Sequence, residues 1–300
     1  MRYGGHQTFP IREGWLSKAV HQLANDPGVF STDTAADYLG VGSNMANSIE
    51  HWLVATGLAE KLLRVEAAKQ GIRFRLTWLG NIISQRDPYF ILDETWWILH
   101  INLINTPEHA STWNWFFNFF PDRRFDKAQL VARLKSWDQE QAWRSPSSTT
   151  IERDASCFLS TYARSVPKDI KDPEEDYGCP FQELRLMSFL RTSGAYEIHR
   201  HARELRPELV IYAILKCSDF TEPGAYDITF SQLVKTISGP LQAFVLGTED
   251  LFEMILQVES TADELYRFST RGLAGDRQIS FQSQGMKELV TPMYGSLVDR

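Results

Sequence analysis

Apolar side chains recur at three- and four-residue spacing through most of the chain, and this periodicity predicts a mainly helical protein. Residues 12–24 put Trp15, Leu16, Ala19, Val20 and Leu23 on one face, a first amphipathic helix. Ser31-Thr32-Asp33 caps a short helix carrying Ala35, Ala36 and Leu39, which Gly40-Val41-Gly42 ends. From Ser43 to about Thr56, Met45, Ile49, Trp52 and Leu53 share one face while Asn44, Asn47, Ser48 and His51 share the other. Helix, tight glycine-containing turn, helix is the helix-turn-helix pattern. The runs 58–63 and 72–78 then read as two short strands around the turn Lys69-Gln70-Gly71, a wing on the helical unit.

Residues 87–120 crowd Trp96, Trp97, Trp113, Trp115, Phe116, Phe117, Phe119 and Phe120 into two helical segments. A helix that is apolar on all sides belongs in a core. Stacking of unpaired bases is the competing use of such rings, but no basic residue is interleaved with them before Arg123 and Arg124. A second helix-turn-helix pattern follows. Asp126 caps a helix with Leu130, Val131, Leu134 and Trp137 inside, and the capping box Thr149-x-x-Glu152 opens another. That helix turns Ile151, Ala155, Phe158, Leu159 and Tyr162 inward and Ser148, Thr149, Glu152 and Arg153 outward.

The stretch 166–180, VPKDIKDPEEDYGCP, is rich in proline and acid and reads as a linker or long loop. Helices are expected at 207–217, 229–236 and 248–258, an order that allows a degenerate third helix-turn-helix unit. The expected fold is therefore mainly α with short β-hairpins (α+β), with winged-helix-like helix-turn-helix units around an aromatic-rich helical core. Four segments follow: 1–86, winged-helix-like; 87–165, aromatic-rich with the second unit; 166–180, the linker; and 181–300, a C-terminal helical domain.

The net charge is −7, which by itself disfavours a nucleic-acid partner. Its distribution changes the picture. Between Ser43 and Arg86 there are six Lys or Arg (Lys61, Arg64, Lys69, Arg73, Arg75, Arg86) and three acids, whereas residues 248–264 hold six acids and no base. One end can face DNA and the other a partner protein. The chain holds no apolar run of the ~20 residues a membrane span needs, and MRYGGHQTFPIREGW lacks the apolar stretch of a secretory signal, so a cytoplasmic protein is expected. Cys157, Cys179 and Cys217 are far apart and odd in number, which argues against a disulfide framework or a cysteine-rich zinc site.

Candidate DNA contacts are Asn44, Asn47, His51, Lys61, Arg64, Arg73, Arg75 and Arg153, amides and imidazole for base edges and cations for phosphates. The run 5–15 gathers His6, Thr8, Arg12 and Glu13 before a helix start, where a phosphate can be held, although His6 and Arg12 can equally pin the terminus to the core. Carboxylates are loosely grouped at Asp87, Asp93 and Glu94 and at Asp122 and Asp126, and His199-Arg200-His201 alternates along the chain; none has a distinctive metal-ligand spacing. Phosphate loops, GxSxG elbows and HExxH helices are absent.

Five blocks in order, GGHQTFPIREGWLSKA, SNMANSIEHWLVATGL, DPYFILDETWWILHINL with STWNWFFNFF, STTIERDASCFLSTY and CPFQELRLM, make the chain resemble a bacterial uncharacterised-domain family found with DNA phosphorothioation genes. The resemblance implies a component that binds double-stranded DNA and nicks one strand so that sulfur can replace a phosphate oxygen, within a phage-defence and restriction system. It also implies ATPase and sulfur-transfer proteins as partners, and is compatible with a homodimer. A nickase of this kind would use Mg2+ or Mn2+; a non-catalytic DNA-binding adaptor that recruits the sulfur-transfer machinery would need no cofactor. The family supplies no catalytic motif to carry over, so His6, Thr8 and Arg12 stand as the catalytic candidates because they are the polar members of the most distinctive block.

Overall fold

The structure, a computed structural model, describes residues 2–31, 34–62, 73–141, 146–163, 178–200, 204–220, 222–261 and 266–297. It is an α+β fold of helices with short antiparallel sheets, as the periodicity predicts. The chain forms two compact units, residues 1–198 and 199–300.

The first unit opens with α1 (Trp15–Asn25), whose buried residues are Trp15, Leu16, Ala19, Val20 and Leu23. Then come α2 (Ala35–Leu39) and α3 (Ser43–Ala55), separated by Gly40, which takes the left-handed conformation (φ 67°) that favours glycine at a helix C-terminus. Strands β1 (Ala59–Leu62) and β2 (Arg73–Leu76) pair antiparallel, Ala59 opposite Leu76 and Leu62 opposite Arg73. Only Phe74 of β2 is buried, and its N–H donates to the Pro27 carbonyl between α1 and α2, which fastens the strand pair to the helices. The expected turn at 69–71 and Arg64 lie outside the described residues, as do Thr32, Asp33 and most of the 166–180 stretch.

The short α4 (Trp78–Arg86) leads to α5 (Asp93–Ile104), where every residue from Thr95 on is buried, and to α6 (Ser111–Phe119). Two later helices, α7 (Lys127–Glu140) and α8 (Ser148–Tyr162), pack against each other. Asp126 caps α7 through a capping box with Gln129. At α8 the expected box shifts: Ser147 caps by accepting the Thr150 N–H, and Glu152 instead accepts from Ser148 and pairs with Lys135 at 2.9 Å. Four consecutive hydroxyl residues can all cap, so composition alone could not choose among them.

The aromatic residues do form a core, except Phe119, which is 47% exposed at the end of α6 and stacks on Trp137. Phe158 lies 5.6 Å from Trp113, 4.4 Å from Phe116 and 5.5 Å from Tyr162, centroid to centroid. These separations are those of edge and tilted pairs that add to area burial. A three-stranded sheet closes this unit, β3 (Arg124–Phe125) and β4 (Met187–Leu190) on either side of β5 (Ala195–Ile198).

The second unit runs α9 (Pro207–Cys217), β6 (Gly224–Thr229), α10 (Phe230–Lys235), α11 (Pro240–Ala243), α12 (Thr248–Thr261), β7 (Ser269–Leu273), β8 (Asp276–Ser283) and α13 (Met286–Val290), with sheet order β6-β8-β7. Ala274 and Gly275, both at positive φ, make the two-residue turn between β7 and β8. No helix among the described residues is long and apolar enough to cross a membrane.

Because Phe158 is fully buried among four aromatic rings, Phe158→Ala should cost about 3–5 kcal/mol in a urea titration, the range for deleting a buried ring. A loss below about 1 kcal/mol would show that the rings are not a close-packed core.

Candidate nucleic-acid interface

Helix α3 presents Ser43, Asn44 and Asn47 to solvent, all within its first two turns. Farther along, the polar face expected from periodicity turns inward: Ser48 is fully buried and His51 only 5% exposed. Ser48 Oγ and Trp52 Nε1 both donate to the Phe9 carbonyl, at 3.3 and 3.0 Å. Gly5 sits against the His51 ring so closely that a Cβ there would lie 2.5 Å from Nδ1. The N-terminal segment therefore covers the second half of α3. Periodicity sorts side chains by polarity along one helix and carries no information about a distant segment laid over it.

On the strand pair, Lys61, Arg73 and Arg75 are exposed. Arg75 Nε donates to Glu60 Oε1 at 2.5 Å, a cross-strand pair on an open surface worth at most ~1 kcal/mol. Lys61 Nζ stands 5.8 Å from the centre of the Phe74 ring. Arg153 is exposed on α8, next to the Glu152 that pairs with Lys135.

His6 is 2% exposed. Its Nδ1 accepts the Thr8 N–H at 3.1 Å, so the ring proton sits on Nε2 and is donated to Asp154 Oδ1 at 2.7 Å. The Asp154 carboxylate, 1% exposed, also accepts the Gly4 N–H at 2.7 Å and the Thr112 hydroxyl at 2.5 Å. Both imidazole nitrogens are thus engaged. Thr8 is exposed and held at φ 73°, and the half-buried Arg12 lies over the rings of Phe9 and Trp15 at 5.9 and 5.6 Å. His6 and Thr8 meet; Arg12 joins an aromatic ledge instead. Asp154 escaped the sequence reading although it lies on the apolar face of α8 between Ile151 and Phe158, and a charge on that face is the signal that would have found it.

A family model described as a protein of unknown function, DUF4007, matches residues 3–294. The chain belongs to the DUF4007 family. Two solved structures are similar to it over 99% of its length and 89% of theirs: an SspB crystal structure (25% identity, TM-score 0.82) and a magnesium ion-bound SspB crystal structure (26% identity, TM-score 0.83). No curated protein matches the chain.

In this DUF4007 chain three of the acids grouped near 87–94 and 122–126 serve local structure. Asp87 is buried and accepts the Ile91 and Leu92 N–H groups and the Thr95 hydroxyl, Asp122 pairs with Arg133 at 3.2 Å, and Asp126 caps α7. Among the described residues, no group of three or more His, Cys, Asp or Glu side chains is arranged to hold a metal ion. His201 of the His199-Arg200-His201 run lies outside the described residues. All three thiols are pushed up by burial, Cys179 to about 12 and Cys217 to about 11, so none is an activated nucleophile at neutral pH.

Two outcomes follow for this family member. Asp154→Asn leaves a side chain that cannot accept all three hydrogen bonds, and equilibrium unfolding should show a loss of about 3 kcal/mol; an unchanged midpoint would mean that the terminus is held by something else. Burial chiefly, helped by His6, Arg2 and His109, lowers His51 to about 3 from an ordinary 6.5. The unfolded chain then takes up this proton first, so the stability held above about pH 6.5 is lost as the pH falls toward 3, with a slope of at most ~1.4 kcal/mol per pH unit from this group. His51→Asn should flatten the stability profile in that window, and identical profiles would contradict a buried neutral ring.

Proposed function

We propose that this chain is the DNA-binding, strand-nicking component of a bacterial DNA phosphorothioation and phage-defence system. The observation that carries the reading is the likeness to SspB over 99% of the chain, joined to the blocks that resemble the phosphorothioation-linked family. Residues 1–86 then act as a winged-helix unit. The amides of Asn44 and Asn47 at the start of α3 suit adenine edges in the major groove, and Lys61, Arg73 and Arg75 on the strand pair suit the phosphates beside it. His51 is not part of that surface, because it is buried. In the second unit we read the helices α9, α10 and α12 as a degenerate third helix-turn-helix unit whose long helix α12 is acidic, and we assign that face to the ATPase and sulfur-transfer proteins.

The magnesium-bound SspB structure is the reason for proposing a divalent cation. Mg2+ takes oxygen ligands and commonly completes its shell with water and substrate phosphates. The described residues do not present a pre-built cage, and we route no step through the metal. The sealed His6, with both ring nitrogens engaged, favours the second reading: a DNA-binding adaptor that brings the sulfur-transfer machinery to its motif.

Supercoiled plasmid incubated with the purified protein and Mg2+ or Mn2+ should yield open circles, and EDTA should abolish them. Duplex binding without open circles under either metal would leave the adaptor. Reversing Lys61 and Arg73 together to Glu should weaken duplex binding and lower the dependence on log salt by about 2, one per phosphate contact. An unaltered salt slope would remove the strand pair from the interface.

A further inference from the structure

Along α7 the first unit carries a shallow groove of about 400 Å3, lined by Asp122 and Arg124 ahead of the helix and by Gln129, Ala132, Arg133 and Ser136 on it. Two contacts lay the segment 119–124 across α7 here. Asp122 pairs with Arg133 at 3.2 Å, and one turn farther along the helix Trp137 stacks on Phe119 at 6.2 Å and 24°. Trp137 in turn tilts against the buried Trp115 at 6.1 Å. The three rings thus rise from the core to the surface, and the outermost, Phe119, is left nearly half open.

Charge marks the same region. Residues 122–134 and the β4–β5 hairpin together carry five cations, Arg123, Arg124, Lys127, Arg133 and Arg191, against three acids, Asp122, Asp126 and Glu197. Each acid is engaged: Asp122 on Arg133, Glu197 on Arg123 at 3.8 Å, and Asp126 as the cap of α7. Arg124, Lys127 and Arg191 are exposed, and among the described residues none of them pairs with a carboxylate. Arg124 Nη2 donates to the Ser193 hydroxyl at 2.9 Å, which brings the β4–β5 turn bearing Arg191 to the same end of the groove. Glu140, exposed a turn beyond Trp137, bounds the basic region at the other end.

Exposed cations without acidic partners select an anion, and an open ring on a stiff aromatic base selects a second flat ring. An acidic peptide supplies the first and not the second. A duplex keeps its base faces stacked inside. An unpaired strand supplies both, phosphates for the arginines and a base for the phenyl ring, and such stacking accepts any base. We propose that this groove holds a single strand of DNA, with one base on Phe119 and the adjoining phosphates on Arg124, Lys127 and Arg191. None of these residues belongs to the surface assigned to the duplex. Only the choice of DNA over RNA rests on the reading of the chain as a DNA-handling protein.

The test titrates the full chain, without metal, into a fluorescently labelled oligothymidylate of about 12 nucleotides, within the span of known single-strand sites, and reads anisotropy. Binding should be saturable and salt-sensitive. Phe119→Ala should weaken it by about 5- to 150-fold, the worth of one stacked base, and Phe119→Tyr should keep most of it. Both variants are checked for an unchanged thermal melt. Arg124→Ala combined with Arg191→Ala should lower the dependence on log salt by about 1.4, at ~0.7 per phosphate on a single strand. No saturable binding at low salt, or Phe119→Ala binding as the parent does, would overturn the proposal. An oligoglutamate bound as tightly as the strand, with no loss in Phe119→Ala, would make the groove an acidic-peptide site instead. An oligouridylate of equal length bound more tightly than the DNA would overturn the choice of DNA. Because neither duplex nor metal enters, a failure of plasmid nicking or duplex binding leaves this result standing, and loss of strand binding leaves the duplex assignment standing.

Discussion

The carboxylate of Asp154 fastens the N-terminal segment to the helical body, and much of the rest depends on that attachment. It accepts from Gly4, His6 and Thr112, so one group on α8 joins the start of the chain to α6. A buried carboxylate is tolerated only when its lone pairs are met, and here three donors meet it. The turn it anchors is strained: Gln7 and Thr8 both take positive φ, costly above all for a β-branched residue. Such strain persists because the surrounding contacts determine the backbone. Once pinned, the segment lies on α3 through Phe9 and Gly5, buries Ser48 and His51, and forms one wall of an open cavity beside α3 and the strand pair.

The aromatic core gives that attachment something rigid to hold. Trp113 packs edge-on to Trp52 at 5.3 Å and to His6 at 5.6 Å, so the ring cluster of α5, α6 and α8 extends to the N-terminal lock and to α3. Close-packed rings yield little under load, since interiors have crystal-like density and low compressibility. The first two turns of α3 therefore project from a stiff base, a useful property for a surface that must hold a fixed register against a partner.

Charge is unevenly distributed along the chain. The strand pair keeps exposed Lys61, Arg73 and Arg75 in the first unit, and α12 in the second unit carries Glu249, Asp250 and Glu253 with no cation. The net value of −7 averages over these regions and describes neither.

The sequence by itself determined the local elements. Apolar periodicity located α1, α3, α8, α9 and α12, the β1 and β2 strands followed from short β-prone runs around a turn, and the inward faces of α1 and α8 were read residue by residue. These are short-range consequences of helix and strand geometry, so a window of a dozen residues contains them. Tertiary structure decided what covers what. That His6 is sealed by a carboxylate 148 residues away, that His51 faces inward, and that Arg2, Glu50 and His109 share a cavity are long-range facts with no repeat or spacing to announce them. An exposed and a buried polar residue look alike in one dimension; only the segment folded over them, at a position fixed by the whole core, tells them apart.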